Sequence, residues 1–165
     1  MKRIIFISAF VLLILPVLAF SQTSAPKESL RGLRGVFINV LPVAGDAEAD
    51  GLSASQIQKI VESELRKAGV PIRSESQLSQ EYAGLAIIID TIKHPQGVYL
   101  FTINVSVVQE VQITRPQKQG AFPAETYSKR ALGLTTPSRM DVIYEPLKEK
   151  LREFIRDYLA VNPKQ

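Results

Sequence analysis

The stretch Val98–Ile113, VYLFTINVSVVQEVQI, decides the fold. Phe101, Ile103, Val105, Val107, Val111 and Ile113 fall on odd positions, with Thr102, Asn104, Ser106, Glu110 and Gln112 between them. Period-two alternation marks a strand with one face on a core and the other toward water. The run is also rich in Val, Ile, Thr, Tyr and Phe, as strand propensity asks. At about 3.3 Å per residue it would extend about 50 Å, whereas a compact domain of this size has a radius of gyration near 14 Å. The strand is therefore expected to bend, and Val107-Val108-Gln109, where the alternation falters, is the expected place.

Working outward, Leu85–Ile92 (LAIIIDTI) is apolar at nearly every position, the pattern of a central strand covered on both faces. His94-Pro95 and Gly97 between the two runs are turn chemistry, so they should pair antiparallel. On the other side, Thr114–Pro123 reads as a Gln-, Pro- and Lys-rich loop. Ala124–Leu134 follows as a third antiparallel strand with Tyr127 and Leu134 as apolar contacts.

Val36–Leu41 is the first strand, ended by Pro42, which cannot donate a ladder hydrogen bond. Ala44–Gly51 is a small acidic loop. In the first helix, Ser53 stands as N-cap with Gln56 three residues on, and Leu52 and Ile57 stand where a hydrophobic staple packs. Ile57, Ile60, Val61, Leu65 and Ala68 form its apolar stripe. Gly69 follows as a left-handed cap before Val70 and Pro71. Val70–Arg73 reads as a short edge strand and Glu75–Glu81 as one or two helical turns. Ser138 is the expected cap of a last helix running to about Val161. Pro146 should kink it or mark a late start.

These elements give the order β-α-β-β-β-α. The expected fold is an α+β two-layer sandwich, with an antiparallel-rich mixed sheet of four or five strands covered by two helices. One domain over 33–161 is expected, with a flexible N-terminal tail at 22–32 and a C-terminal tail at 162–165. Residues 1–21 read as a secretory signal peptide. Lys2 and Arg3 precede an apolar run, Ile4–Phe20, and Ala19-Phe20-Ser21 offers small residues to a peptidase. The alternative is an uncleaved anchor, against which stand a run of about 17 residues, the short edge for a bilayer, and Pro16 near its end.

The 165 residues include no cysteine, which excludes disulfides, thiolate metal sites and a cysteine nucleophile. The formal charge is +4, from 20 basic and 16 acidic residues. Without Lys2 and Arg3 the balance falls to about +2, with no long run of one sign, so nucleic-acid binding has no compositional support.

ELRKAGVPI, where a capped helix ends and a strand starts, and the closing FIRDYLAVNPK resemble a family of small exported bacterial α+β proteins of uncharacterised function. The resemblance implies export and one α+β domain, and carries no functional residue. GVFINVLPV, with its acidic loop and capped helix, is similar in order to the N-terminal domain of TolB, a likeness of fold alone.

Candidate chemistry is sparse. His94 is the sole histidine; beside Pro95 it reads as a solvated turn residue. No G-x-S-x-G elbow supports a serine triad. Asp90 sits in an apolar strand, either buried and useful as an acid or facing solvent beside Lys93. Glu110 and Glu125 could oppose each other across strands as a hydrolytic pair. Asp46, Glu48 and Asp50 loosely resemble a calcium loop but lack its closing ligand. Arg115, Lys118, Lys129, Arg130 and Arg139 could form a patch for an anionic surface or acidic partner, or an ordinary solvated face. No catalytic, cofactor-binding or metal-ligating set is expected. The reading that results is a non-catalytic periplasmic or secreted interaction module, its partner an envelope protein or an anionic surface. It would not be transmembrane once the signal is removed. The alternative is a small carboxylate-dependent periplasmic hydrolase. An exposed apolar patch or open sheet edge would favour the first, and a cleft holding a carboxylate the second.

Overall fold

The computed structural model describes residues 25–74, 82–115 and 118–163. The proposed signal peptide and the expected turns at Glu75–Glu81 lie outside these described residues. The order is α1 (Ala25–Glu28), β1 (Gly35–Val40), α2 (Gly45–Ala49), α3 (Ala54–Ala68), β2 (Tyr82–Lys93), β3 (Tyr99–Arg115), β4 (Lys118–Thr135), a 3₁₀ segment (Pro137–Ile143) and α4 (Tyr144–Val161). The strands form one mixed sheet in the order β1-β2-β3-β4, with β1 parallel to β2 and the other pairs antiparallel. This is the two-layer α+β fold expected.

The odd face of β3 is the heart of the core. Phe101, Ile103, Val105 and Val107 are buried. Ile103 and Val105 stand between Ile89 and Ile87 of β2 and Ala131 and Lys129 of β4. Ile57, Val61 and Leu65 of α3 and Leu147, Leu151, Phe154 and Tyr158 of α4 join the same cluster. Gly133 lies opposite Phe101, and a Cβ there would run into the Phe101 ring. That glycine makes room for the ring.

The helix ends follow their capping residues. The Ser53 side chain accepts from the Gln56 N–H, and Leu52 and Ile57 are both buried. Gly69 adopts the left-handed conformation (φ 74°), and the Val70 N–H returns to the Leu65 carbonyl. The last helix starts late, one of the two outcomes expected of Pro146, but Ser138 does not cap it. Thr136 precedes the 3₁₀ segment without a side-chain cap, and Ser138 shares a hydrogen bond with Thr136. α4 starts at Tyr144, so Pro146 falls in its first turn, where a missing N–H costs no helical bond.

Four more expectations are corrected. The segment expected to be a tail up to residue 32 is docked from α1 onward. Leu30 and Leu33 are buried, Asn162 Nδ2 donates to the Leu30 carbonyl, and the Gly32 N–H donates to Asn162 Oδ1. In the loop expected at Thr114–Pro123, the described residues, 114–115 and 118–123, are the end of a long β3–β4 ribbon, paired out to Arg115 opposite Lys118. Pro123 is tolerated because β4 is an edge strand. Residues 45–49 of the expected acidic loop are helical. Val70–Arg73 makes only an isolated parallel bridge, Ile72 with Val36.

The ribbon does break step where the alternation falters. Val107 pairs with Tyr127 but Val108 with Glu125, which leaves Thr126 as a bulge residue. Gln109 Nε2 donates to Thr126 Oγ1 (2.6 Å) and to the Ser29 carbonyl (3.0 Å), and Ser29 Oγ donates to the Thr126 carbonyl (3.1 Å). The docked N-terminal segment therefore holds the bulge.

Candidate functional site

The sheet has a second face, formed by the even residues of β2 to β4 up to the bulge. The buried residues of the helices all belong to the core cluster on the odd face. β2, expected to be covered on both sides, is so only at Gly84 and Ala86; beyond them its even face opens. Leu85, Ile87 and Ile89 are buried, while Ile88 is half-buried, Asp90 exposed and Ile92 69% exposed. Register sets Ile92 beside Leu100 and Leu100 beside Leu134; Leu132 follows two residues from Leu134. Leu132 is 70% and Leu134 67% exposed. Leu134, expected as a core contact with Tyr127, thus lies on the opposite face from it.

Ile92, Val98, Leu100 and Leu134, with Lys93 and His94, line a shallow groove of about 560 Å³ at the β2–β3 turn end. No carboxylate lines it. His94 is exposed in the turn, its N–H bonded to the Val98 carbonyl and its Nδ1 accepting from the Gln96 N–H.

The groove's turn is anchored from the covered side. Lys93 Nζ and the Tyr99 hydroxyl both donate to Asp50 Oδ2 at 2.7 Å, and Lys93 lies 5.1 Å from the Tyr99 ring centre. The hydrogen bonds from Lys93 and Tyr99 hold the Asp50 carboxyl below its ordinary value, and Asp50 in turn raises Lys93. Burial and the Asp50 bond push the Tyr99 phenol up. Lys93 is thus engaged by Asp50 and not by Asp90.

The singled-out carboxylates do not converge. Asp90 is exposed on the open face opposite Thr102. Glu110 pairs with Pro123 and Glu125 with Val108, so the two are diagonal neighbours and not opposed. Glu125 bonds Arg130 (3.0 Å) and Asn104 (3.2 Å), and although burial works against it, these bonds hold its carboxyl low. A carboxylate held ionised this way is a poor general acid. Among the described residues no three His, Asp or Glu side chains converge as metal ligands.

The basic residues also separate. Lys129 points to the covered face, where it meets Asp157 at 3.2 Å and lies 5.4 Å from the Tyr127 ring centre. Arg130 is on the open face, and Arg139 stands beside Asp141 (3.8 Å) in the 3₁₀ segment. The side chains of Arg115 and Lys118 lie outside the described residues; their backbones pair at the far tip of the ribbon. That tip is 16 residues along β3 from Tyr99, which pairs with Thr135 near Arg139. At about 3.3 Å per residue the two ends are tens of ångströms apart.

The open apolar face itself escaped the sequence reading. The available signal was Leu132 and Leu134 sharing parity with Leu100 once register was known; without register, their parity has no face to refer to. No protein-family model and no curated protein matches this chain.

Proposed function

We propose that the protein is a non-catalytic interaction module of the cell envelope or its exterior, which binds a partner through the open face of its sheet. The observation carrying this reading is the apolar surface made by Ile92, Leu100, Leu132 and Leu134, on a face that none of the buried helix residues join. Exposed apolar groups clustered on one surface of a soluble fold mark interaction sites. The same surface argues against the hydrolase, because the adjoining groove holds no carboxylate and Asp90 projects from an open sheet. Export rests on the charged start and apolar run of residues 2–20. No helix among the described residues is long and apolar enough to cross a membrane.

The test compares the chain from Gln22 onward with its Ile92→Ser/Leu134→Ser variant as baits in an envelope extract. A protein retained by the first and lost by the second, with melting temperatures matched, supports the reading. Equal retention overturns it. Hydrolysis of ester, glycoside or peptide substrates that disappears in Asp90→Asn or Glu125→Gln would establish the alternative.

A further inference from the structure

The outer edge of β4 differs sharply between its two halves. From Lys118 to Arg130 it is guarded by the devices that keep edge strands apart: Pro123, the bulge at Thr126 with its carbonyl taken by Ser29, and the charged Glu125, Lys129 and Arg130. From Ala131 to Thr135 (ALGLT) there is no charge, no proline and no bulge.

Strand phase shows which backbone groups face outward there. The His94 N–H bonds the Val98 carbonyl, so the even residues of β3 turn their backbone groups toward β2 and the odd ones toward β4. Odd residues of β4 from Tyr127 to Thr135 pair with those odd residues. The N–H and C=O groups of Leu132 and Leu134 therefore point out of the sheet edge, on the two most exposed leucines of that strand.

We propose that this unguarded stretch pairs antiparallel with the same stretch of a second copy of the chain, about a two-fold axis at Leu132 or Gly133. Two-fold pairing is self-complementary for a strand meeting itself. With the axis at Leu132, Leu132 meets its own copy and Arg130 lies opposite the partner copy's leucine, so no like charges face each other. The nearest cations are already neutralised within the chain, Arg130 by Glu125 and Lys129 by Asp157. The open faces of both copies would lie on one side of a continuous sheet, joining their apolar surfaces. Pairing over Lys129–Thr135 covers an edge of about 23 Å by about 10 Å, or roughly 230 Å² per copy. A stable complex buries about 800 Å² per partner. The dimer is accordingly weak and concentration-dependent. It uses the sheet edge and does not depend on the open face binding another protein.

The absence of cysteine makes the test direct. Residues paired across antiparallel strands have Cα atoms about 4.5–5.5 Å apart, within disulfide reach. Leu132→Cys under mild oxidation should give a disulfide dimer if the axis is at Leu132. A mixture of Leu132→Cys and Leu134→Cys should give the mixed disulfide if it is at Gly133. Thr102→Cys, in the middle of the open face, should give none. Sedimentation of the cysteine-free chain at millimolar concentration should show dimer that Leu132→Lys abolishes without lowering the melting temperature. A chain monomeric at that concentration, with neither disulfide formed faster than that of Thr102→Cys, overturns the proposal. So does a dimer cross-linked through Thr102→Cys, which would mean face-to-face stacking. A monomer whose capture of an envelope protein is lost in Leu132→Pro but kept in Leu132→Ser, which removes the side chain and keeps the backbone N–H, would give the edge to a foreign strand and likewise overturn it, while leaving the interaction reading intact.

Discussion

The two faces of β3 carry side chains of similar size to opposite ends. Phe101, Ile103, Val105 and Val107 are locked between two helices and two strands. Leu100 and Thr102, one residue away, face outward with Leu132 and Leu134 beside them. The faces are not simply dry and wet. Ser106 is buried on the even face between Ala86 and Ser128, and Asn104 donates to Glu125 while its Oδ1 has no partner. Apolarity alone therefore does not tell the faces apart; what does is whether a helix stripe is available to cover each one.

The largest effect should come from the covered face. Ile103→Ala removes buried methyl groups at the centre of the cluster and should cost about 2–5 kcal/mol in urea melts. A loss as small as a surface change would mean that the helices do not seal this face. Gly133→Ala tests the same layer by overfilling: its new methyl group meets the Phe101 ring, for an expected loss of about 1–3 kcal/mol.

A comparable loss is expected where the covered face is closed by polar contacts at the β4 edge. The buried Tyr127 hydroxyl donates to Asp157 (2.8 Å), and Lys129 joins the same oxygen. Burial pushes the Asp157 carboxyl up, but the bonds from Tyr127 and Lys129 outweigh it and hold it below its ordinary 3.8. A depressed carboxyl contributes stability above its unfolded value and loses it as pH falls through the folded one. Asp157→Asn should therefore melt lower than the parent by a constant margin between pH 5 and 7. The margin should close below about pH 4. Tyr127 and Tyr158, both raised by burial, act in the opposite direction, so stability should also decline as pH rises past about 10. A margin unchanged down to pH 3 would remove Asp157 from the account.

Ser53→Ala tests an element end away from either face. It should cost about 1 kcal/mol through the lost bond to the Gln56 N–H.

How far these regions were legible depended on whether the signal was local. The α3 caps and the alternation of β3 could be read because neighbours within a few residues determine them. The bulge was legible as a lapse in that alternation. The N-terminal segment was not, because it is held by Asn162, about 130 residues away, and no local pattern announces such a bond. The ribbon was missed for a related reason: Gln-, Pro- and Lys-rich chain has turn-like propensity, and pairing with the far end of β3 overrides it. Asp90 faces solvent, as one of its two readings has it, but proximity in sequence does not reveal that Lys93 turns to the other face to reach Asp50, 43 residues away. The uniform apolarity of LAIIIDTI concealed the open face, since it fits a strand covered on both sides equally well.

The smallest expected change in stability carries most of the functional meaning. Ile92 and Leu134 are about two-thirds exposed and contribute little to the core, so Ile92→Ser and Leu134→Ser should each shift stability by no more than about 0.5 kcal/mol. If this face is a binding surface, the same changes should abolish partner capture, because the apolar area they remove is what a partner would bury. A side chain kept for packing and one kept for contact are thus separated by opposite responses. Ile103→Ala should weaken the fold and affect capture only through unfolding, while Leu134→Ser should leave the melt in place and affect capture alone. If Leu134→Ser instead cost as much as a core truncation, the even face would already be covered within the molecule. The apolar surface would then belong to the core, and the binding surface would have to be sought along the outer edge of β4.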